Sequence, residues 1–499
     1  MQTNRKQVTI AMLIATFLAA IEVTIVSTAM PRIASELGGL QFISWVFAAY
    51  LLTSTVTTPI FGKLADLYGR KVVFTVGAAL FLLGSMLSGL SSSMHQLIWF
   101  RALQGLGAGG IMPTTFTIIG DIFPYEQRAK VQGWFSSIWG LSGLVGPLVG
   151  GFLVDYVSWR WIFYINLPFG LVSVIMLWIF LREEGDSRER KIDYLGVLTF
   201  SIAVASILFA LSTGGTVYSW GSAIIIGLFL VGILFLLIFI WVEFKAEEPM
   251  LPLELFKIPS ILVSNLAALL SSGILIALNV YLPLWVQGVH GRGATGSGLT
   301  LLPMSIGWPI GATLGGRLML KVGPRKTAVL GLILILAGNV SLAFISQTTP
   351  DWVLSVIMLI IGFGFGFSMT VYTVIVQSSV GWNLRGAATA SNTFLRSLGQ
   401  TIGVAVFGTL FNHYMKVFMM GHAEVKNINV SDLNRLLDPH NIGQISSSVM
   451  ETMREALVYG LHHIFLILVG IAVLALLFVF RLPSSKPEAV AVSKDLKEA

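Results

Sequence analysis

Long apolar runs separated by short polar segments fill this chain. Fourteen of them approach or exceed the roughly 20 residues a helix needs to cross a hydrocarbon core. They lie near residues 8–30, 42–61, 72–91, 96–119, 132–154, 161–182, 194–213, 221–242, 260–286, 297–320, 327–346, 352–377, 388–412 and 458–481. The short alternating segments of a membrane barrel are absent. The first run is long, carries Glu22 and has no convincing small-residue cleavage site, so it reads as a retained helix rather than a signal peptide.

Composition agrees with this pattern. Of 499 residues, 55% are hydrophobic and 11% charged, whereas soluble domains run near one quarter charged. That excludes a soluble enzyme, a secreted scaffold and a disordered chain. Cysteine is absent, so disulfides, thiol catalysis and cysteine metal sites are excluded as well. The net charge of +7 is unevenly spread. With the amino terminus inside, Arg5, Lys6, Lys63, Arg70, Lys71, Arg128, Lys130, Arg182, Arg188, Arg190, Lys191, Lys245, Lys257, Arg317, Lys321, Arg325, Lys326 and Arg385 are cytoplasmic. Only Arg32, Arg160 and Arg292 then fall in the short outer loops. The positive-inside rule therefore predicts cytoplasmic termini in a plasma or inner membrane. No basic patch carries interleaved aromatics, so nucleic acid is not an expected partner.

Two connections are longer. Residues 413–457 form an outer loop whose stretch Val449–Val458 has helical apolar spacing, suited either to the membrane surface or to a solvated loop. Residues 243–259 form an inner linker, and Asn429-Val430-Ser431 matches a glycosylation sequon. Internal echoes also recur. Gly62–Lys71 (GKLADLYGRK) and Gly316–Arg325 (GRLMLKVGPR) align Gly69 with Gly323 at an offset of 254. Arg128 precedes Gly146 as Arg385 precedes Gly403, at an offset of 257. Repeated halves suit an alternating-access transporter. The expected fold is an all-α polytopic membrane protein with 14 transmembrane helices. Residues 1–186 form one six-helix half and 257–482 the other, with two inserted, plainly lipid-facing helices at 187–256 and a cytoplasmic tail at 483–499.

Charges inside the spans carry the candidate chemistry. Glu22 lies about 14 residues into the first run, roughly 21 Å at 1.5 Å per residue. An embedded acid is costly and faces a cavity or a partner. Burial favours its neutral form and a nearby cation its charged form, so Glu22 either exchanges protons or stays in a permanent ion pair. Arg101 enters the fourth run from the outside, where it either pairs with Glu22 or snorkels to the interface. Arg396 is a second embedded cation, placed to bridge helices or meet a substrate. The glycines of Gly105–Gly110 sit in an apolar run without a preceding strand, which excludes dinucleotide binding. No phosphate loop, G-x-S-x-G or H-E-x-x-H motif is present. The seven histidines fall at or near the outer side, and most of them read as surface residues; adjacent His462 and His463 point apart, so no metal or other cofactor is expected.

Five segments together resemble the major facilitator superfamily, in particular its fourteen-span drug:proton antiporter branch. They are the Gly62–Lys71 loop, Leu97–Gly109 (LIWFRALQGLGAG), Gly146–Gly151 (GPLVGG), Ser158–Pro168 (SWRWIFYINLP) and Ile21–Pro31 (IEVTIVSTAMP). Two departures stand out: Glu22 occupies a position where Asp is usual, and Leu320 stands where Asp66 sits in the first half. The resemblance implies proton coupling through Glu22 and Arg101. It also implies a conformational latch of Gly62, Asp66, Gly69, Arg70 and Asp121 that stabilises an outward-facing state. Plain positive-inside anchoring is the other reading of that loop. Gly146, Pro147 and Gly150 read as a hinge or proton-tight seam, or as ordinary close packing.

Gln104, Trp139, Asn279, Trp308, Tyr372, Gln377, Asn392 and Arg396 are the polar, aromatic and charged candidates for substrate contact. The expected activity is proton-coupled export of hydrophobic or cationic drugs by alternating access, rather than enzymatic catalysis. Partners are then small amphipathic substrates, protons and membrane lipids, around a monomer. A narrower cargo, such as a lipid, a metabolite or one antibiotic class, fits the same fold. A membrane enzyme or sensory receptor on such a scaffold has no catalytic motif or added domain behind it.

Overall fold

The computed structural model describes residues 3–37, 43–183, 193–215, 218–246, 249, 251–291, 294–421 and 447–484. The sequon at Asn429, the cations Arg188, Arg190, Lys191 and Arg292, and the tail beyond 484 lie outside the described residues. Of Pro147 and Arg32 only the helical backbone is described.

The amino-terminal helices are α1 (Arg5–Leu37), α2 (Ile43–Tyr68), α3 (Arg70–Leu90), α4 (Met94–Ile122), α5 (Tyr125–Tyr156), the single turn α6 (Trp161–Tyr164) and α7 (Asn166–Phe180). Then come α8 (Tyr194–Thr213), α9 (Ala223–Lys245), α10 (Pro259–Leu284), α11 (Ala294–Val322), α12 (Pro324–Ala343), α13 (Asp351–Ser378), α14 (Arg385–Met420) and α15 (Ser447–Val479). Eleven spans among the described residues are long and apolar enough to cross a membrane. The long helices outside that set are α4, α5 and α11. Glycine and polar residues dilute the hydropathy of α4 and α5, and the same glycines let the helices pack closely.

Local chemistry sets the helix ends. Ser93, Asp193 and Ser222 accept hydrogen bonds from the Gln96, Gly196 and Ile225 amides, capping α4, α8 and α9. Gly69 and Gly323 both adopt φ 89° at the turns into α3 and α12, a conformation that glycine accommodates without strain. These are the two glycines paired by the internal echo. The sixth expected span is broken at Ile165 into α6 and α7. Pro168, with no N–H to give to Tyr164, contributes to that break.

The largest buried apolar cluster draws on residues 263–482 alone, and two others lie within residues 8–181. A further cluster joins Val56, Phe200, Val204, Leu208, Phe239 and Phe394. Phe200 sits 5.2 Å from Phe239 and 5.4 Å from Phe394, so α8 is wedged against α9, α2 and α14. This corrects the expectation that both inserted helices simply face lipid. Alternating large apolar residues pack α8 against its neighbours, while α9 keeps Leu230, Ile233, Leu234 and Leu237 exposed.

Two other expectations change. Val449–Val458 is the first part of α15 rather than a separate surface helix or loop: no proline breaks the run, and Gly460 stays helical where it packs on Met415 and Phe411. His290, His462 and His463 are partly buried rather than surface residues. His290 Nδ1 lies 2.6 Å from Asp351, and the Trp285 indole donates to His290 Nε2 at 3.2 Å.

The glycine run of α4 is explained by packing. A Cβ at Gly105 or Gly109 would strike the α2 backbone at Tyr50 or Ser54, and one at Gly107 would strike Gly77 and Phe81 of α3. Overpacking of this kind costs about 1–3 kcal/mol. Gly107→Val is therefore expected to lower the melting temperature of the detergent-purified protein clearly. Gly151→Ala, where a Cβ meets open space, should leave it unchanged. Equal melting of the two variants would contradict this packing account.

Candidate functional site

Glu22 and Arg101 meet inside the bundle. Both are buried, and Arg101 Nη1 donates to Glu22 Oε1. The same nitrogen donates to Gln104 Oε1 at 2.8 Å, and the guanidinium lies 4.2 Å over the Tyr50 ring. The other carboxylate oxygen accepts from Asn166 Nδ2 at 2.7 Å, and that amide also reaches Ser85 Oγ at 2.9 Å. Five helices build this site: α1 supplies Glu22, α2 supplies Tyr50, α4 supplies Arg101 and Gln104, α7 supplies Asn166 and α3 supplies Ser85. A carboxylate so enclosed is held by charge and directional hydrogen bonds rather than by water. Glu22 and Arg101 carry opposite charges, so each offsets the other's cost of burial within the bundle.

A second charge network lies at the end of the bundle at which α1 begins. Arg70, 1% exposed, donates to Asp66 Oδ1 at 2.7 Å and to Asp121 Oδ2 at 3.0 Å. It also donates to the Trp382 carbonyl and lies 4.0 Å over the Trp382 ring. Asp66 accepts the Gly386 and Ala387 amides at 3.1 and 2.7 Å. It thus sits on the first turn of α14, where the helix dipole favours a negative charge. Gly386 is needed there, since a Cβ would meet the Asp66 carboxylate at 2.6–2.7 Å. Gly62, one turn before Asp66, packs directly on Ala390.

Two further contacts cross between these helices in reciprocal fashion. Arg385 donates to Asp121 Oδ1 at 2.6 Å, and Arg128 donates to Ser378 Oγ at 3.0 Å. Positions 128 and 385 differ by 257, as do 121 and 378, so the two contacts carry the same offset as the sequence echo. Gly69 also has a specific neighbour. Its lack of a side chain leaves room for Glu183, which accepts the Arg70 and Lys71 amides at 2.7 and 3.2 Å and so caps α3. A cavity of about 690 Å³ opens at this end, touching Arg5, Arg70, Asp121, Arg182, Glu183 and Trp382.

The remaining candidates do not gather in one place. Gln104 belongs to the Arg101 site, while Gln377 donates to the Phe116 carbonyl at 3.0 Å. Asn392 donates to Asn265 at 2.8 Å between α14 and α10, and Tyr372 is fully buried in the carboxy-terminal cluster. Trp308 stacks on Phe365 at 5.2 Å, and Trp139 and Asn279 are exposed. Their helical phases aim them at different neighbours. Arg396 is partly exposed. Gly146 and Gly150 pack on Thr24 and Ile25 of α1, along an unbroken α5; the Pro147 side chain lies outside the described residues.

Sequence reasoning missed Asn166, Trp382, Glu183 and the role of Arg385. Asn166 had a usable signal, being an amide within an apolar run. Trp382 and Glu183 contribute through a backbone carbonyl and through capping, which leave little trace in sequence.

Comparison with known proteins bears on the whole chain. The profile of the Major Facilitator Superfamily matches residues 12–194 and again 187–404. Multidrug resistance protein 3 of Bacillus subtilis (strain 168) is 37% identical over 492 residues, covering 96% of this chain and 95% of that one. Multidrug transporter protein MdtP of the same organism is 39% identical over 411 residues, 82% of this chain and 76% of that one. Among solved structures, the proton:xylose symporter XylE superposes with a TM-score of 0.65 at 14% identity, over 97% of each chain, a likeness of fold. With a helical bundle, many membrane-spanning segments and this similarity in hand, the chain belongs to the Major Facilitator Superfamily as a multi-pass membrane protein.

Proposed function

We propose that this chain is a proton-coupled antiporter that exports hydrophobic or cationic drugs by alternating access, with Glu22 as its proton-handling group. The observation that carries the reading is the buried Glu22–Arg101 pair, tied to Asn166 and Gln104 in the interior of the bundle. The relatives named as multidrug transporters support the cargo class. The reading also takes fourteen helices as crossings: two six-helix halves at 1–186 and 257–482, and an inserted pair at 187–256. The twofold family match and the paired glycine turns at Gly69 and Gly323 support that layout. The charge asymmetry supports cytoplasmic termini in the plasma or inner membrane.

In this mechanism, a proton arriving from outside neutralises Glu22. Arg101 is then left with Gln104 and the Tyr50 ring. Loss of one charge changes which arrangement of α1, α3, α4 and α7 is lowest in energy, and the bundle reorients. The Asp66–Arg70–Asp121–Arg385 network holds the end bearing the amino terminus closed, which corresponds to an outward-facing state. Opening that end breaks these charge-assisted bonds, releases the proton to the cytoplasm and admits the next substrate. The latch is one-sided, because Leu320, at the position equivalent to Asp66, is exposed and offers no carboxylate.

In proteoliposomes, rhodamine 6G should drive proton movement through the wild type. Glu22→Gln is expected to reduce that coupled flux by on the order of tenfold or more, with dye binding kept. Equal flux in the two would move the proton site elsewhere.

Asp66→Asn weakens bonds to Arg70 and to two amides of α14. Hydrogen bonds to charged groups contribute about 1.5–3 kcal/mol each. Turnover should fall while dye affinity survives. Loss of affinity in a folded Asp66→Asn protein would count against a latch.

A further inference from the structure

Arg396 lies 11 residues into α14 from Arg385, about 16 Å along a helix that must cross a core of roughly 30 Å. It is deep within the bundle, with no acidic neighbour to offset its charge. Its side chain nevertheless keeps partial exposure. Among the described residues it has no hydrogen-bond or ion-pair partner. The other mid-span cation, Arg101, is neutralised by Glu22. Arg396 is therefore the uncompensated positive charge of the described interior, in a place where such a charge is strongly disfavoured without a counter-group.

Its surroundings on α14 are ordered by helical phase. Asn392 and Gly399 face α10, bonding Asn265 and packing on the Leu269 carbonyl. Ala390 and Phe394 face the opposite way, against Gly62 of α2 and Phe200 of α8. Between these packed faces runs a polar stripe, Thr389, Thr393, Arg396 and Gln400, at spacings of four, three and four. The two threonines satisfy their hydroxyls on their own helix, at 2.7 and 3.1 Å. Gln400, one turn beyond Arg396, is likewise partly exposed and has no described partner. A guanidinium fork and an adjacent amide, both without protein partners, together offer donors for a carboxylate, sulfonate or phosphonate.

We propose that Arg396, with Gln400 beside it, binds the anionic group of an amphipathic substrate. This rests on the exporter reading and deepens it, since it assigns cargo an acidic group whether or not a cationic centre is also present. The rest of such a molecule would be held by the apolar walls of the bundle, so charge at Arg396 orients the ligand rather than supplying all its affinity.

The test compares 11-(dansylamino)undecanoic acid with its methyl ester, which differ in the anionic charge. Fluorescence titration would use the purified full chain in nanodiscs. Wild type is expected to bind the acid about tenfold or more tighter than the ester, as a charge-assisted contact requires. Arg396→Gln should bring the acid down to the ester's affinity without changing the ester, and Arg396→Lys should restore most of the preference. Equal binding of acid and ester to wild type would overturn the proposal. So would a preference that survives Arg396→Gln, or loss of ester binding along with acid binding in both variants. Rhodamine 6G export under a proton gradient, measured on the same preparation, separates the two readings. Export without acid preference sinks the anion site and leaves the exporter; acid preference without export does the reverse.

Discussion

A charge inside a hydrocarbon slab has to be compensated by another group, and the organisation of this protein follows from that constraint. Glu22 and Arg101 could not be placed on neighbouring helices without each other, and the pair in turn recruits Asn166, Gln104 and Ser85. Four helices are locked in register by one carboxylate. The glycines of α4 make this possible, because they bring α2 and α3 close enough to enclose the arginine. Breaking a buried pair by removing one partner typically costs about 3–5 kcal/mol. Protonating the carboxylate changes that balance without removing either side chain.

The closed end applies the same constraint to motion. Asp66 and Asp121 each hold groups from both sides of the seam, so the helices separate only if several charge-assisted bonds break together. Such contacts are bistable rather than gradually extensible. The reciprocal reach of Arg128 to α13 and of Arg385 to α4 gives the seam an approximate twofold character. Asp66 has no counterpart at Leu320, so the symmetry is broken where the strongest bonds lie. Both charge networks draw on α4, which carries Arg101, Gln104 and Asp121 along its length.

Much of this was legible in the sequence because the membrane makes mistakes costly. Apolar runs marked the helices, and the rarity of embedded charge singled out Glu22, Arg101 and Arg396. The Gly69 turn was visible from its motif, and its φ of 89° explains the glycine. What could not be read was lateral placement. A polar residue within a span does not say which neighbour it faces, so the bonds of Gln377 to Phe116 and of Asn392 to Asn265 left no trace in the sequence. The wedge made by α8 depends on Phe200 meeting Phe239 and Phe394, two contacts made between separate helices. Backbone partners such as the Trp382 carbonyl carry no residue signature at all.

In the proposed cycle Glu22 carries the proton that is exchanged for substrate. The most direct measurement is proton release when rhodamine 6G is added to purified protein in a weakly buffered detergent solution, without any membrane or gradient. If the account holds, dye binding releases protons from the wild type and none from Glu22→Gln, although both bind the dye. Release of the same size from Glu22→Gln, or dye binding to the wild type with no release at any pH, would contradict it.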